Sequence, residues 1–92
     1  MPFCTMLEWE KDFDFSVYET LTERAGGRDR LPEGCMSRIV GAVETGARVI
    51  EVWESPDHAR KFGEAHSPAI AELKIPPPDR VAAFETKIYL AK

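Results

Sequence analysis

The sequence has no long apolar run and no concentration of positive charge. No stretch approaches the ~20 consecutive apolar residues of a transmembrane helix, so we expect no membrane span. The 12 Lys and Arg residues are scattered, and the formal net charge is −4. Because binding to nucleic acid phosphates requires a basic surface, the sequence predicts no nucleic acid partner. Residues 1–4 lack the basic start and apolar core of a signal peptide, so we expect a cytoplasmic protein.

Motifs for metals, nucleotides and disulfides are also missing. The two cysteines, Cys4 and Cys35, have neither the spacing of zinc ligands nor a second cysteine pair to complete a zinc site. The sequence contains no glycine-rich phosphate loop and no visible cluster of metal-ligating side chains. It therefore predicts two buried thiols and a protein that uses no metal, nucleotide or other cofactor.

What the sequence does contain is an alternation of strand and helix patterns over a single domain, residues 1–92. Strands are predicted at 3–10, 35–43, 48–53 and 81–90, with helices starting at Ser16 and Pro56. Ser16 and Glu19 form a capping box, and the glycines at 26–27 stop the first helix. The second helix is predicted to run to about Ala65, with a kink or a restart at Pro68.

The order strand-helix-strand-strand-helix-strand predicts a ferredoxin-like α+β sandwich. One four-stranded antiparallel sheet would carry both helices on one face, with strand three between strands one and two. Cys4 and Cys35 would then lie two strand spacings apart, roughly 9–10 Å, which is too far for a disulfide. The sheet face without helices is still apolar, and a second copy of the chain is its simplest cover. We therefore expect a homodimer.

Two short segments carry a resemblance to a known superfamily: Val-Trp-Glu-Ser at 52–55, which opens the second helix, and His-Ser-Pro at 66–68, near its end. Together with the element order, they resemble the dimeric α+β barrel superfamily. Similar small stand-alone members include antibiotic-biosynthesis monooxygenases and polyketide cyclases of the olivetolic-acid and tetracenomycin kind. The resemblance implies a homodimer with its two sheets packed face to face, and a ligand cleft between the sheet and helices of each subunit.

The same resemblance disfavours haem cleavage. Haem-degrading relatives use an asparagine, a helix tryptophan and a later helix histidine, whereas this chain contains no Asn or Gln. Phe62 stands at the tryptophan position, and Leu73 lies near the histidine position. We therefore do not expect a haem-degrading enzyme.

His66 and Glu51 are the predicted catalytic residues. His66 continues the inward stripe of the second helix, and an imidazole can give or take a proton near neutral pH. The alternative is a histidine hydrogen-bonded at a helix kink. Glu51 is the one charge inside the apolar third strand, where it would act as an acid or a base, or hold His66. The alternatives are a salt bridge to Arg38 on the neighbouring strand and a position at a water-exposed edge.

Four further residues are predicted to form an aromatic wall for a flat apolar ligand: Trp53, Phe62, Tyr18 and Met6. Arg38 is predicted as an additional substrate-binding residue. The alternative for the wall is simple core packing. Olivetolic-type cyclases carry a tyrosine on the second helix where this chain has Phe62, so the resemblance does not extend to that part of their mechanism.

These residues leave three functions open. The first is a cofactor-free cyclase or isomerase acting on an apolar or aromatic, polyketide-like metabolite, with His66 as base or acid and Glu51 as its partner. The second is a cofactor-independent monooxygenase of the antibiotic-biosynthesis type, acting on a quinol-like substrate. The third is a ligand-binding or structural dimer without enzymatic activity.

Overall fold

A computed structural model describes residues 2–27 and 30–90, which form four strands and two helices. Their order is β1 (Phe3–Trp9), α1 (Phe15–Arg24), β2 (Cys35–Val43), β3 (Gly46–Trp53), α2 (Pro56–Glu72) and β4 (Arg80–Glu85). The sheet is antiparallel with the strand order β2-β3-β1-β4. The predicted α+β ferredoxin-like fold is confirmed, including the position of the third strand between the first and second.

Strand alternation gives the sheet two different faces. On one face, the core residues Trp9, Ala47 and Val49 pack against Tyr18 and Leu21 of α1. Side chains from the end of α2 and the connector after it complete this core: Ala69, Ile70, Leu73 and Ile75. Both helices therefore contribute to covering this face, which is called the helix face below. Within the described part of the chain, neither helix is long and apolar enough to cross a membrane.

The opposite face, called the bare face below, carries Met6 of β1 and its register partner Ile50 of β3. Ile39 of β2 and Phe84 of β4 lie on this face too, and their exposed fractions are 61% and 47%. Large apolar side chains are therefore exposed on this face of the sheet.

The cap of α1 differs from the prediction. Asp14, not Ser16, is the N-cap: its Oδ1 accepts hydrogen bonds from the backbone N–H groups of Ser16 (2.9 Å) and Val17 (3.4 Å). The Ser16 hydroxyl also donates to this carboxylate at 2.6 Å. These hydrogen bonds, led by that from the Ser16 side chain, lower the pKa of Asp14. The capping-box prediction was wrong because the acidic side chain of Asp14, two residues earlier, caps the helix, so that Ser16 already lies inside it.

Helix α2 begins as predicted but does not break where expected. Ser55 is the N-cap, and its Oγ accepts from the backbone N–H of His58 at 3.3 Å. The helix then continues through Pro68 to Glu72. Pro68 lies on the exposed side of the helix, so the backbone carbonyl that loses its N–H donor can hydrogen-bond to water.

Strand β4 is shorter than predicted because its partner ends first. It pairs with β1 from Glu8↔Arg80 to Phe3↔Glu85, and β1 begins at Phe3. The backbone N–H of Thr86 donates to the Pro2 carbonyl at 2.8 Å, after which residues 87–90 run on exposed and outside the sheet. The predicted extension of this strand to residue 90 was wrong.

The two cysteines are buried free thiols, Cys4 on β1 and Cys35 on β2, with β3 between these strands. Burial raises the pKa of both thiols, and the negative charge of Glu51 raises them further. Thiols with raised pKa values are poor nucleophiles at neutral pH, which agrees with the predicted structural role.

Candidate functional site

An apolar cleft of about 290 Å³ lies between the helix face of the sheet and α2. Its lining comes from every layer of the fold: Thr5, Leu7 and Trp9 of β1, Glu51 and Trp53 of β3, Tyr18 and Leu21 of α1, Ala59, Phe62, Gly63 and Ile70 of α2, residues 75–78 of the connector, and Val81 of β4. Glu51 is the one charged residue among them. The cleft therefore combines an apolar interior with a single carboxylate.

Glu51 forms a nearly buried ion pair with Arg38. Its Oε2 accepts from Arg38 Nε at 2.8 Å and from Nη2 at 2.5 Å, and the side chains are 9% and 11% exposed. Its Oε1 accepts from the Thr5 hydroxyl at 3.3 Å. The two charged residues are direct register partners on β2 and β3. The salt bridge to Arg38, which was the alternative to a catalytic role for Glu51, is therefore present, and it coexists with the position of Glu51 in the cleft.

Arg38 approaches this site from the neighbouring side rather than from within the cleft. It lines a larger, more open groove of about 450 Å³ between α1 and β2, whereas Glu51 lines the cleft. Tyr18 lines both spaces. The predicted role of Arg38 as a substrate-binding residue therefore becomes indirect: its guanidinium positions and balances the carboxylate that a ligand in the cleft would meet.

Tyr18 lies where it was predicted, against the cleft and close to this pair. Burial raises its pKa to about 12; the charge of Glu51 adds to the effect, and that of Arg38 opposes it. The phenol is therefore protonated at neutral pH. It can offer a hydrogen bond to a ligand, but it does not act as a base there.

Trp53 and Phe62 form the predicted aromatic wall, with ring centroids 5.3 Å apart. Trp53 is 1% exposed, and its buried Nε1–H meets no hydrogen-bond acceptor among the described residues. Arg38 Cζ lies 5.1 Å from the Phe62 centroid, which adds a cation–π contact on the same ring. An unpaired buried donor costs free energy, and as the side chains are placed this N–H is also shielded from the cleft.

His66 lies behind this wall. Its ring stacks on Phe62 with centroids 4.1 Å apart, and its Nδ1 is 3.0 Å from the Phe62 carbonyl oxygen. Because a carbonyl only accepts, Nδ1 carries the hydrogen. His66 is not among the residues lining the cleft, and the hydrogen bonds of the Glu51 carboxylate go to Arg38 and Thr5. The structure thus brings Glu51, Trp53 and Phe62 together but does not pair Glu51 with His66.

Met6 does not contribute to the cleft. Thr5 and Leu7 both line it, so the side chain between them points to the bare face, where Met6 is the register partner of Ile50. The predicted place of Met6 in the aromatic wall was wrong, because it conflicts with the alternation of side chains along a strand.

Sequence reasoning missed the proline connector. Pro76, Pro77 and Pro78 line the cleft. The connector is fixed at both ends: Trp9 Nε1 donates to the Pro76 carbonyl at 2.8 Å, and the N–H of Asp79 donates to a carbonyl of β1 at 2.7 Å. The proline run predicted a stiff segment, but its position over the cleft depends on these long-range contacts.

Gly63 was also missed. It lies inside α2 and lines the cleft, and a Cβ placed there would meet no heavy atom within 4 Å, the helix's own nearby backbone aside. Glycine in a helix interior costs about 1 kcal/mol relative to alanine. The fold therefore gives no steric reason for glycine at this position.

No protein-family model matches the sequence, and no curated protein matches it significantly. Solved structures do resemble it in fold. An antibiotic biosynthesis monooxygenase-like protein from Chloroflexus aurantiacus is 14% identical with a TM-score of 0.72, covering 99% of this chain and 98% of that one. A monooxygenase from Streptomyces coelicolor in complex with nanaomycin D is 17% identical with a TM-score of 0.64, covering 98% and 91%.

A third neighbour, an antibiotic biosynthesis monooxygenase-like protein from Deinococcus radiodurans, is 14% identical with a TM-score of 0.60 and covers 100% of this chain and 98% of that one. Identities this low carry information on architecture and not on reaction. The predicted ferredoxin-like α+β fold is confirmed: this chain shares the architecture of these three solved structures.

Proposed function

We propose that this protein is a cofactor-independent monooxygenase that oxidises a small, electron-rich phenol in the cleft. The observation that carries the proposal is the position of Glu51 as the single charged residue of an otherwise apolar cleft. A carboxylate in such a place can accept the proton of a phenolic hydroxyl, because the apolar surroundings hold the ring against it and exclude water.

Arg38 and Thr5 give this carboxylate a fixed geometry. Their hydrogen bonds occupy both oxygens from the β1 and β2 sides, at 2.5–2.8 Å for Arg38 and 3.3 Å for Thr5. Oε1, which accepts only from Thr5, has a further lone pair for a ligand, whereas Oε2 already accepts twice from Arg38. When Glu51 takes up a proton, the Arg38 guanidinium remains beside the nascent phenolate and stabilises its charge.

The aromatic wall would hold the substrate ring. Trp53 and Phe62 offer flat apolar surface. Tyr18, protonated at neutral pH, offers a hydrogen-bond donor. Among the structural neighbours, the Streptomyces coelicolor monooxygenase was solved with nanaomycin D. That observation belongs to a different protein, and it supports the choice of a small-molecule ligand.

The reaction balances without an external reductant. A phenol with a free para C–H reacts with one O₂ to give the para-quinone and one water. The ring loses four electrons, which reduce both oxygen atoms; one oxygen enters the ring and the other leaves as water. The protein's part is to bind the phenol, remove its hydroxyl proton and keep bulk water away.

A cyclase or isomerase using His66 is the second candidate. The stacking of His66 on Phe62 at 4.1 Å places the imidazole one ring away from the cleft, and an imidazole can transfer a proton near neutral pH. This reaction needs no O₂, and it requires Phe62 to turn aside so that His66 Nε2 reaches the ligand. A ligand-binding dimer without activity is the remaining reading.

We also propose that the working unit is a homodimer in which a second copy covers the bare face. The exposed apolar side chains of Ile39 and Phe84 support this. Gly41 of β2 lies on the same face, and a Cβ there would meet nothing within 4 Å. Glycine inside a strand is typical of a place where another backbone approaches closely.

The test uses 1-naphthol, a two-ring phenol with a free para position. We expect the wild type to consume O₂ and naphthol in equal amounts and to form 1,4-naphthoquinone. Glu51→Gln should lower the rate by about 10²–10⁴-fold, because the amide cannot take the proton. The matched control is Glu54→Gln. Glu54 is exposed and lies just beyond β3, so this variant should keep the wild-type rate.

Three results would redirect the proposal. Wild-type rates in Glu51→Gln would exclude Glu51 as the base. Conversion of an aromatic or polyketide-like ketone under nitrogen, abolished by His66→Ala, would favour the cyclase or isomerase. Tight binding of naphthol with no chemical change in air would leave a binding protein.

A further inference from the structure

We propose that Gly63 is a specificity-determining residue: its missing side chain keeps open the part of the cleft in which a planar aromatic ligand lies against α2. The inference deepens the proposed function and rests on it for the class of ligand. It assigns a binding role to a glycine for which the fold itself gives no requirement.

Gly34 and Gly46 are explained by the fold, whereas Gly41 on the bare face has the same open surroundings as Gly63. Gly34 has a φ of +80°, which side-chain-bearing residues rarely adopt, and a Cβ there would overlap the ring of His58. A Cβ at Gly46 would overlap the Trp9 carbonyl. Gly63 differs from both, because it has ordinary helical geometry and open space where a Cβ would be. Alanine at this position would be compatible with the helix and more stable in it.

The open space belongs to the cleft. Ala59 and Gly63 are one helical turn apart on α2, and both line the cleft, so two small residues leave the helix backbone accessible there. The cleft also has flat aromatic surface: Trp53 and Phe62 belong to its lining, with ring centroids 5.3 Å apart. An unfilled glycine position in the same lining as these rings points to an occupant.

The shape and chemistry of the cleft favour a flat ring as that occupant. The volume of about 290 Å³ is at the small end of ligand pockets, which range over ~300–1,000 Å³. Phe62 and Trp53 lie beside Gly63, and Pro77 and Pro78 belong to the same lining. Rigid rings and prolines present flat apolar surface that loses little entropy on contact with an aromatic ligand. A side chain at position 63 would occupy the space that the ligand needs.

The experiment measures binding of naphthalene under nitrogen. The readout is the change of backbone amide shifts in ¹⁵N–¹H spectra, including the amide of residue 63 in each protein. Naphthalene has no hydroxyl, so the result does not depend on Glu51 or on catalysis. We expect Gly63→Ala to raise Tm by about 4 °C, because alanine favours the helix. The same variant should weaken naphthalene binding about tenfold, and Gly63→Leu should weaken it by ~100-fold or more.

Ala65→Leu is the matched control, since Ala65 is exposed on the same helix and does not line the cleft. It should bind naphthalene as the wild type does. Undiminished binding by a folded Gly63→Leu protein overturns the proposal, as does a wild type that binds no naphthalene. Loss of the dimer in Gly63→Leu also overturns it, because the space would then belong to a subunit contact. Gly63-dependent binding without naphthol oxidation would reject the proposed reaction and retain the role of Gly63.

Discussion

Arg38 donates two hydrogen bonds to one oxygen of Glu51, at 2.8 and 2.5 Å, across the β2–β3 pair and almost out of contact with solvent. Burying two charges costs solvation free energy, and direct pairing offsets that cost only while both partners are present. A hydrophobic pair of similar volume would serve the fold equally well. The proposed reaction gives this pair a role that stability alone does not require.

This relationship predicts a strongly non-additive pair of substitutions. Arg38→Met and Glu51→Leu should each lower the free energy of unfolding by about 3–5 kcal/mol, because each leaves an unpaired buried charge. The double variant should recover most of the loss. Urea unfolding at one fixed protein concentration measures all four proteins. Additive losses in the double variant would contradict the prediction.

Tyr18 should make the protein sensitive to alkaline pH. Its folded-state pKa of about 12 lies above the ordinary value of 10, so burial favours the neutral phenol. The stability this provides is fully present below pH 10 and is lost as the pH rises from 10 towards 12, since the unfolded chain ionises first. The loss should amount to about 2–3 kcal/mol.

The measurement compares the fall in Tm between pH 9 and 12 for the wild type and for Tyr18→Phe. Phenylalanine retains the ring but has no hydroxyl proton to lose. The Tm of Tyr18→Phe should therefore fall less steeply with pH than the Tm of the wild type. Tyr89→Phe, which changes the other tyrosine, outside the sheet, should follow the wild-type curve. Identical slopes for wild type and Tyr18→Phe would show that the Tyr18 phenol is not held neutral by the fold.

The N-terminus of α1 allows a direct comparison of two candidate caps. Asp14→Ala should destabilise the protein by ~1 kcal/mol, because it removes the acceptor of two backbone N–H groups. Ser16→Ala should have a smaller effect, since Ser16 is inside the helix and its hydroxyl only donates to Asp14. Thermal unfolding at pH 7 measures both. A larger loss for Ser16→Ala would restore the capping box predicted from the sequence.

The elements that the sequence predicted well are those fixed by local signals. The range 35–43 matches β2, and Ser55 with Pro56 marks the start of α2. Helix ends were less predictable where two polar residues competed, as at Asp14 and Ser16. Pro68 was expected to interrupt α2, but an exposed proline costs the helix one hydrogen bond, and the packing of Ile70 and Leu73 holds the next turn in place.

The candidate site was predictable only in part. Glu51 and Trp53 share a strand face with each other, so period-two alternation placed both correctly relative to the helices. The same rule applied to β1 selects Thr5 and excludes Met6. Which partner the Glu51 carboxylate chooses depends on cross-strand register, and the position of the proline connector depends on contacts 67 residues apart in sequence. The sequence offered Arg38 as one alternative partner for Glu51 without deciding between the alternatives, and local patterns do not predict where the connector lies.

The proposed dimer can be tested by placing a charge on the bare face. Ile39 lies on the bare face with 61% of its surface exposed, and Val40, the next residue of β2, lies on the helix face. A lysine at position 39 would place a charge within the contact between two copies, where desolvation is costly. We expect Ile39→Lys to sediment as a folded monomer at micromolar concentration and Val40→Lys to sediment with the wild type. A wild type that is itself a well-folded monomer would refute the dimer, and the exposed apolar face would then require another partner.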